Sequence, residues 1–285
     1  MRPMRSALYI PGSNDRALDK ARGLPVDAIL FDLEDAVAPG AKAAARDTLR
    51  GALREGRYAP RLRLVRINGL DTEWGADDLA ALADSDCDGI LVPKVDGPGH
   101  IDAVAERLPA GRPVWAMMET PRGVANAAAI ADHPRCGGLV MGTNDLAKAL
   151  HCDTPADRAP MLHALQGCVV AAKAAGVPVL DGVFNAFRDE DGLRRECEQG
   201  RAWGFDGKTL IHPAQVAVAN DAFAPSPEAV DLARRQIAAH EAALAEGQGV
   251  AVLDGRIVEN LHVESARRVL AKADAIAAMH TENAA

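Results

Sequence analysis

Short, almost wholly apolar runs recur along this chain, separated by stretches of helical composition. The runs cover residues 7–12, 28–35, 63–68, 89–94, 113–119, 138–142, 178–183 and part of 204–213. The intervening stretches at 14–22, 40–57, 72–83, 101–108, 125–131, 159–175 and 190–203 are long enough, and rich enough in alanine and charge, to be helices. Strands that are apolar on both faces, alternating with helices, indicate a parallel sheet covered on both sides. Eight such units predict an α/β fold, a (β/α)8 TIM barrel, over residues 1–223. No Gly-x-Gly-x-x-Gly turn follows the first strand, which removes the usual support for a dinucleotide-binding sheet. Residues 224–285 form a C-terminal extension: a helix over 227–246, a hairpin over 249–255 around an Asp-Gly turn, and a helix over 262–278. We expect this extension to serve as a lid or as an oligomerisation arm reaching a neighbouring subunit.

Composition narrows the picture. The 285 residues carry a formal net charge of -8, which argues against a nucleic-acid partner and against a polybasic membrane surface. No apolar run reaches the length of a membrane-spanning helix, and residues 1–6 lead into a strand with no signal-peptide core. Five scattered cysteines without a Cys-x-x-Cys pair suit a reducing, cytoplasmic setting and argue against a thiolate zinc site.

In a barrel of this kind the chemistry lies at the C-terminal ends of the strands. Those ends bring Pro11 to Ser13, Asp32, Glu34, Asp35, Arg66, Asn68, Lys94, Glu119, Asp145, Asp181 and Lys208 to His212 together. So many opposite charges are costly to gather unless a ligand or an ion organises them. Glu119 and Asp145 close the fifth and sixth strands and can converge on Mg²⁺, or alternatively cap the helices that follow. Arg66 suits a substrate carboxylate, or a salt bridge to Glu34 or Asp35. Alternation along the second strand would turn only one of Glu34 and Asp35 into the site. Gly142, Thr143 and Asn144 could offer N–H groups to an oxyanion. Lys94 and Lys208 admit a rival Schiff-base chemistry, and His212 either an acid–base or a structural role. Basic residues near the N-terminus, Lys20 among them, could meet phosphates, or form a solvated helix face.

Several motifs occur in a telling order. They are Leu8 to Ser13, Phe31 to Pro39 with Lys42 and Arg46 downstream, Val65 to Asn68, Val92 to Lys94, Met118 to Gly123, Gly142 to Leu146, and Gly207 to Gln215. Together they resemble the HpcH/HpaI aldolase superfamily, within its citrate lyase β-subunit-like group of CoA-ester lyases. The resemblance covers residues 5–225 well and the tail more loosely. It implies a TIM barrel in a homotrimer or homohexamer, with Mg²⁺ (Mn²⁺ as a substitute) held by Glu119 and Asp145. It further implies a substrate-binding Arg66 and reversible cleavage of a 3-hydroxyacyl-CoA to a 2-oxo acid and acetyl-CoA. In the family, a Met-Ile-Asp-type motif in the C-terminal segment supplies an acid to an adjacent subunit. Here the corresponding stretch is Gly255 to His262, so Glu259 stands in its place.

The expectation is therefore a Mg²⁺-dependent carbon–carbon lyase acting on citramalyl-CoA, malyl-CoA or citryl-CoA. Glu34, Asp35 or Glu259 would relay the proton, and coenzyme A phosphates would meet Lys20. The alternatives are thioester hydrolysis on the same scaffold, a pyruvate aldolase working on free acids, and a non-catalytic binding barrel.

Overall fold

The structure, a computed structural model, describes residues 2–284, with side chains described for residues 2–279. Its first compact unit is Met4–Phe223. It begins with β1 (Ser6–Pro11), α1 (Asp15–Ala21), β2 (Ala28–Asp32), α2 (Lys42–Glu55), β3 (Leu62–Arg66) and α3 (Gly75–Leu82). The chain continues through β4 (Gly89–Val92), α4 (Pro98–Ala105), β5 (Val114–Met118), α5 (Pro121–Ala125), α6 (Ala127–Ala131) and β6 (Cys136–Met141). It is completed by α7 (Thr143–Leu150), α8 (Leu162–Ala175), β7 (Val179–Asp181), α9 (Glu190–Trp203), β8 (Gly207–Leu210) and α10 (Val216–Phe223). Among the described residues, β1 to β8 close into one barrel in sequence order. Every neighbouring pair is parallel, and β1 bonds both β2 and β8. This is the predicted (β/α)8 architecture.

Side-chain alternation divides the core in two. Ala28 and Leu30 join Leu64, Leu91, Trp115, Met117, Val140 and Leu180 in a small inner cluster. Ile29 and Phe31 point the other way, into the larger layer between sheet and helices. Gly138, at φ +156, lets the Trp115 indole lie flat against the backbone, since a Cβ there would fall 2.4 Å from the ring.

Local structure departs from the expected elements at three places that matter for the site. β2 stops at Asp32, because its carboxylate turns back to accept the N–H groups of Glu34 and Ala36. The expected helix over 125–131 is two short helices, α5 and α6, interrupted at Asn126, whose side chain donates to the Asp96 carbonyl. Helix α7 begins immediately after Gly142, so Asp145 sits in a helical first turn rather than on a strand tip.

Residues from Ala224 belong to a second compact unit. It holds α11 (Pro227–Ala245), the antiparallel pair β9 (Ala251–Leu253) and β10 (Arg256–Val258), and α12 (Asn260–Ala284). Asp254 and Gly255 both take positive φ, as the predicted tight hairpin turn requires. Ala243, Ala251, Val258 and Val263 form the small core of this unit.

Candidate active site

The alternation that builds the inner cluster also selects which charged residues reach the barrel mouth. Asp32 lies two residues beyond Leu30, Arg66 two beyond Leu64, and Glu119 two beyond Met117, so all three follow the inward parity. With Tyr9, Asp35 and Asp145 they line a cavity of about 340 Å³. Met117, Met141, Val183 and Ile211 supply its apolar wall.

Arg66 is the best-anchored charge. Its Nε and Nη2 donate to the two carboxylate oxygens of Asp32 at 2.8 and 2.7 Å, both side chains being buried. Its guanidinium also lies over the Tyr9 ring, 4.9 Å from the centroid. Burial works to lower the Arg66 pKa, but the Asp32 bond outweighs it and holds the group well above its ordinary value. Only Nη1 is turned elsewhere, 2.9 Å from Glu34 Oε2 and 3.3 Å from Asp35 Oδ2. Of Glu34 and Asp35, only Asp35 lines the cavity, although both reach Arg66 Nη1. Both lie beyond the end of β2, in a turn where strand alternation no longer applies. The turn is braced by Lys42, whose Nζ donates to the carbonyls of Leu33 and Glu34, and by Asn68, which donates to Leu33.

Glu34 is mostly buried, and burial raises its pKa. Oε1 accepts from Lys94 Nζ at 2.8 Å, while Oε2 is close to Arg66 but makes no well-directed hydrogen bond. Lys94 ties three acids together. Its backbone, at the left-handed φ of +51, donates to Glu119 Oε1 at 2.8 Å, and its Nζ lies 3.6 Å from Asp145. The Lys94 pKa is raised, the Glu34 bond overcoming a desolvation that acts to lower it. An ammonium held in that state is a poor Schiff-base nucleophile.

Glu119 is buried, and burial pushes its carboxyl up to about 7. Its Oε2 is cradled by Gly142, where an added Cβ would lie 2.2 Å away. A buried carboxylate so reluctant to ionise is suited to a cation beside it. Among the described residues no group of three or more His, Cys, Asp or Glu side chains is arranged to hold a metal. Glu119 and Asp145 are a pair of carboxylate oxygen donors, the ligand chemistry that suits Mg²⁺, which keeps most of its sites for water and substrate oxygen.

Other expected residues are placed less simply. The Gly142 N–H is bonded to the Met118 carbonyl, which withdraws it as an oxyanion donor. Thr143 and Asn144 open α7, where backbone N–H groups lack intrahelical partners. Asn144 is paired with Asn185 through both side-chain amides. Lys20 is exposed on α1, away from the cavity. Of its basic neighbours, Arg5 is buried against Asp27 and Arg22 is paired with Asp19 and Glu55. Glu259 belongs to the second unit, exposed, its backbone N–H donating to His262 Nδ1. His212 caps the turn at Pro213 by accepting from the Ala214 N–H, the structural alternative.

Asp181 and Lys208 were expected at the mouth and are not there. They have outward parity, on the side opposite Leu180. Lys208 is fully buried between Asp181 and Glu196, and Arg158 grips Asp181 at 2.7 and 2.8 Å. Desolvation acts to lower the Lys208 pKa, but its two acids prevail and raise it, which closes the Schiff-base route there as well. Two residues of the mouth received no role from the sequence, Asp32 as the anchor of Arg66 and Tyr9 as the support under it. Counting by twos from Leu30 would have found the first.

The HpcH/HpaI aldolase/citrate lyase family profile matches residues 5–213. A (3S)-malyl-CoA thioesterase of Cereibacter sphaeroides is 59% identical over 97% of this chain and 96% of its own length. Citrate lyase subunit beta of Escherichia coli is 34% identical over 96% of this chain and 94% of its own. A solved structure of CitE from Mycobacterium tuberculosis, in complex with magnesium, acetoacetate and coenzyme A, superposes with a TM-score of 0.81 at 32% identity. That superposition covers 96% of this chain and 100% of the other. These similarities overturn the expected carbon–carbon lyase, because the 59% identical relative is a thioesterase, whereas the lyase subunit is far more distant. The physical reason is that strand-end motifs of this kind do not decide whether a carbon–carbon bond or a thioester is cleaved, because they leave open whether water reaches the carbonyl.

Proposed function

The chain belongs to the HpcH/HpaI aldolase/citrate lyase family, and on that premise we propose that it hydrolyses a CoA thioester of the malyl type. The observation that carries this reading is the 59% identity, sustained across 97% of the chain, to a (3S)-malyl-CoA thioesterase. The cavity of about 340 Å³ suits a small dicarboxylic acyl group, with the coenzyme A left outside.

In this reading water adds to the thioester carbonyl carbon, the C–S bond breaks, and coenzyme A leaves as the protonated thiol. Arg66 Nη1, which is not bound to Asp32, exchanges its contact with the exposed Asp35 for a carboxylate oxygen of the acyl group. Asp35 lines the cavity and is exposed; released from its 3.3 Å contact with Arg66, it accepts the proton of the attacking water and returns it to the departing thiolate, whereas Glu34 is mostly buried and held by Lys94. Glu119 and Asp145 would hold Mg²⁺, whose chemistry is to polarise the acyl oxygen and offset negative charge. The first turn of α7 at Thr143 and Asn144 presents N–H groups toward that same charge. The apolar wall around Met141 and Val183 keeps bulk water from the methylene carbons. Assembly as a homotrimer or homohexamer, with Glu259 reaching a neighbouring copy and Lys20 meeting coenzyme A phosphates, is part of the same proposal.

The test is product analysis by mass spectrometry after incubation with malyl-CoA and Mg²⁺. Free coenzyme A with intact malate supports hydrolysis. Acetyl-CoA with glyoxylate, or no turnover, defeats it.

A further inference from the structure

Lys94 holds a backbone conformation that a lysine does not favour. Pro93 and Lys94 interrupt the ladder between Val92, which pairs with Ala116, and Val95, whose N–H returns to the Met117 carbonyl at 3.3 Å. An unpaired residue in a strand ladder that takes the left-handed region is ordinarily glycine. Here the φ of +51 belongs to a lysine. The left-handed region disfavours an L-residue relative to glycine by a factor of about ten. Such a conformation persists only where its surroundings impose it.

The opening of α5 imposes it. Thr120 caps α5 by accepting the Gly123 N–H at 2.9 Å, and its own hydroxyl donates to Asp96 Oδ1. Asn126, at the break between α5 and α6, donates to the Asp96 carbonyl at 2.7 Å. Gly123 admits the Val95 carbonyl so closely that an added Cβ would lie 2.2 Å from its oxygen. Residues 95 and 96 are thus gripped by α5, and Val95 is tied to β5 as well. Two contacts at the barrel mouth depend on that grip. The Lys94 N–H donates to Glu119 Oε1 at 2.8 Å, and Lys94 Nζ donates to Glu34 Oε1 at 2.8 Å. A change of φ at Lys94 would turn both donors relative to the gripped residues and break these bonds. We propose that Thr120, Gly123 and Asn126 are positioning residues, which hold Lys94 in the left-handed backbone that aims its N–H at Glu119. None of the three lines the cavity; they act through Lys94 alone. The consequence for the cation rests on the metal reading above: with Oε1 committed to the Lys94 N–H, Glu119 offers Oε2 to Mg²⁺.

The experiment compares Asn126→Ala with its parent in two backgrounds, wild type and Lys94→Gly, since glycine takes the same φ without being held there. The first readout is amide hydrogen exchange at residue 94, which needs neither metal nor substrate. Asn126→Ala should speed that exchange roughly tenfold in the Lys94 background, the factor by which the left-handed region is disfavoured, and less than about threefold in the Lys94→Gly background. Mg²⁺ affinity, measured by isothermal titration, should weaken about tenfold in the first background and less than about threefold in the second. Gly123→Ala, which presses on the Val95 carbonyl from the other end of α5, should show the same pattern. Equal effects in both backgrounds would mean a general loosening of the fold and would overturn the proposal, as would no effect of Asn126→Ala on residue 94. Unchanged exchange at Ala116 and Met117 confirms that β5 stays intact in the variants. A wild type that binds no Mg²⁺ refutes the metal reading, whereas exchange at residue 94 still decides the positioning role.

Discussion

Asp32 holds Arg66 by both carboxylate oxygens, at 2.8 and 2.7 Å, with neither side chain open to solvent. One strand end thereby aims the guanidinium of its neighbour and turns the remaining nitrogen, Nη1, toward Glu34 and Asp35. Removing one partner of a buried pair strands the other charge. Asp32→Ala should therefore cost about 3–5 kcal/mol of stability and abolish turnover. Asp35→Ala removes an acid that is 70% exposed, so its stability should fall by less than about 1 kcal/mol. Urea titration of both variants checks the difference; equal losses would mean that Asp32 is not the anchor.

Gly142 is the position at which a single methyl group should disable the proposed metal site. A Cβ there would lie 2.2 Å from Glu119 Oε2 and 2.5 Å from Glu119 Cβ, so Glu119 must move. Gly142→Ala is expected to weaken Mg²⁺ binding about 10–100-fold, the range for disturbing groups that orient metal ligands. Isothermal titration with Mg²⁺ measures it, and wild-type affinity in the variant would remove Glu119 from the site.

The Glu119 carboxyl, raised from 4.5 to about 7, makes a signed prediction. A raised acid favours the protonated folded state. Its stabilising contribution is complete below about pH 4.5 and is lost as pH rises through about 7. Metal-free wild type should therefore lose melting temperature over that window relative to Glu119→Gln. Because Mg²⁺ needs the ionised carboxylate, its affinity should tighten by about tenfold per pH unit up to about pH 7. Melting curves and Mg²⁺ titrations across pH 5–8 test both halves, and a pH-independent affinity would refute the second.

Lys208 is expected to be structural. Its loss leaves Asp181 and Glu196 facing a depleted cluster, so Lys208→Met should destabilise the fold by about 3–5 kcal/mol. Borohydride reduction of wild type in the presence of a 2-oxo acid should trap no adduct at Lys94 or Lys208. Recovery of a reduced lysine adduct by peptide mass spectrometry would revive the Schiff-base chemistry.

Much of this molecule could be read from its residues in order. The eight strands announced themselves because a parallel barrel strand is buried on both faces and must be apolar along its length. Arg66, Glu119 and Asp145 were found because the chemistry of such a barrel gathers where those apolar runs end. Helix α7 was harder to see, since Gly-Thr-Asn-Asp reads equally as a loop, and its first turn is what turns Asp145 toward Lys94.

What required the fold was direction and partnership. Asp181 ends β7 as plainly as Arg66 ends β3, yet one step of alternation sends it behind the sheet, where Lys208, near the start of β8, meets it. Glu34 and Asp35 leave alternation altogether, because the Asp32 carboxylate ends β2 by capturing two backbone N–H groups. The sequence by itself determined the order of the elements and the kinds of charge collected at the mouth, since burial dictates composition locally. The tertiary structure decided which charges meet, because a contact such as Asp32 with Arg66 joins residues 34 apart whose approach only the closed sheet enforces.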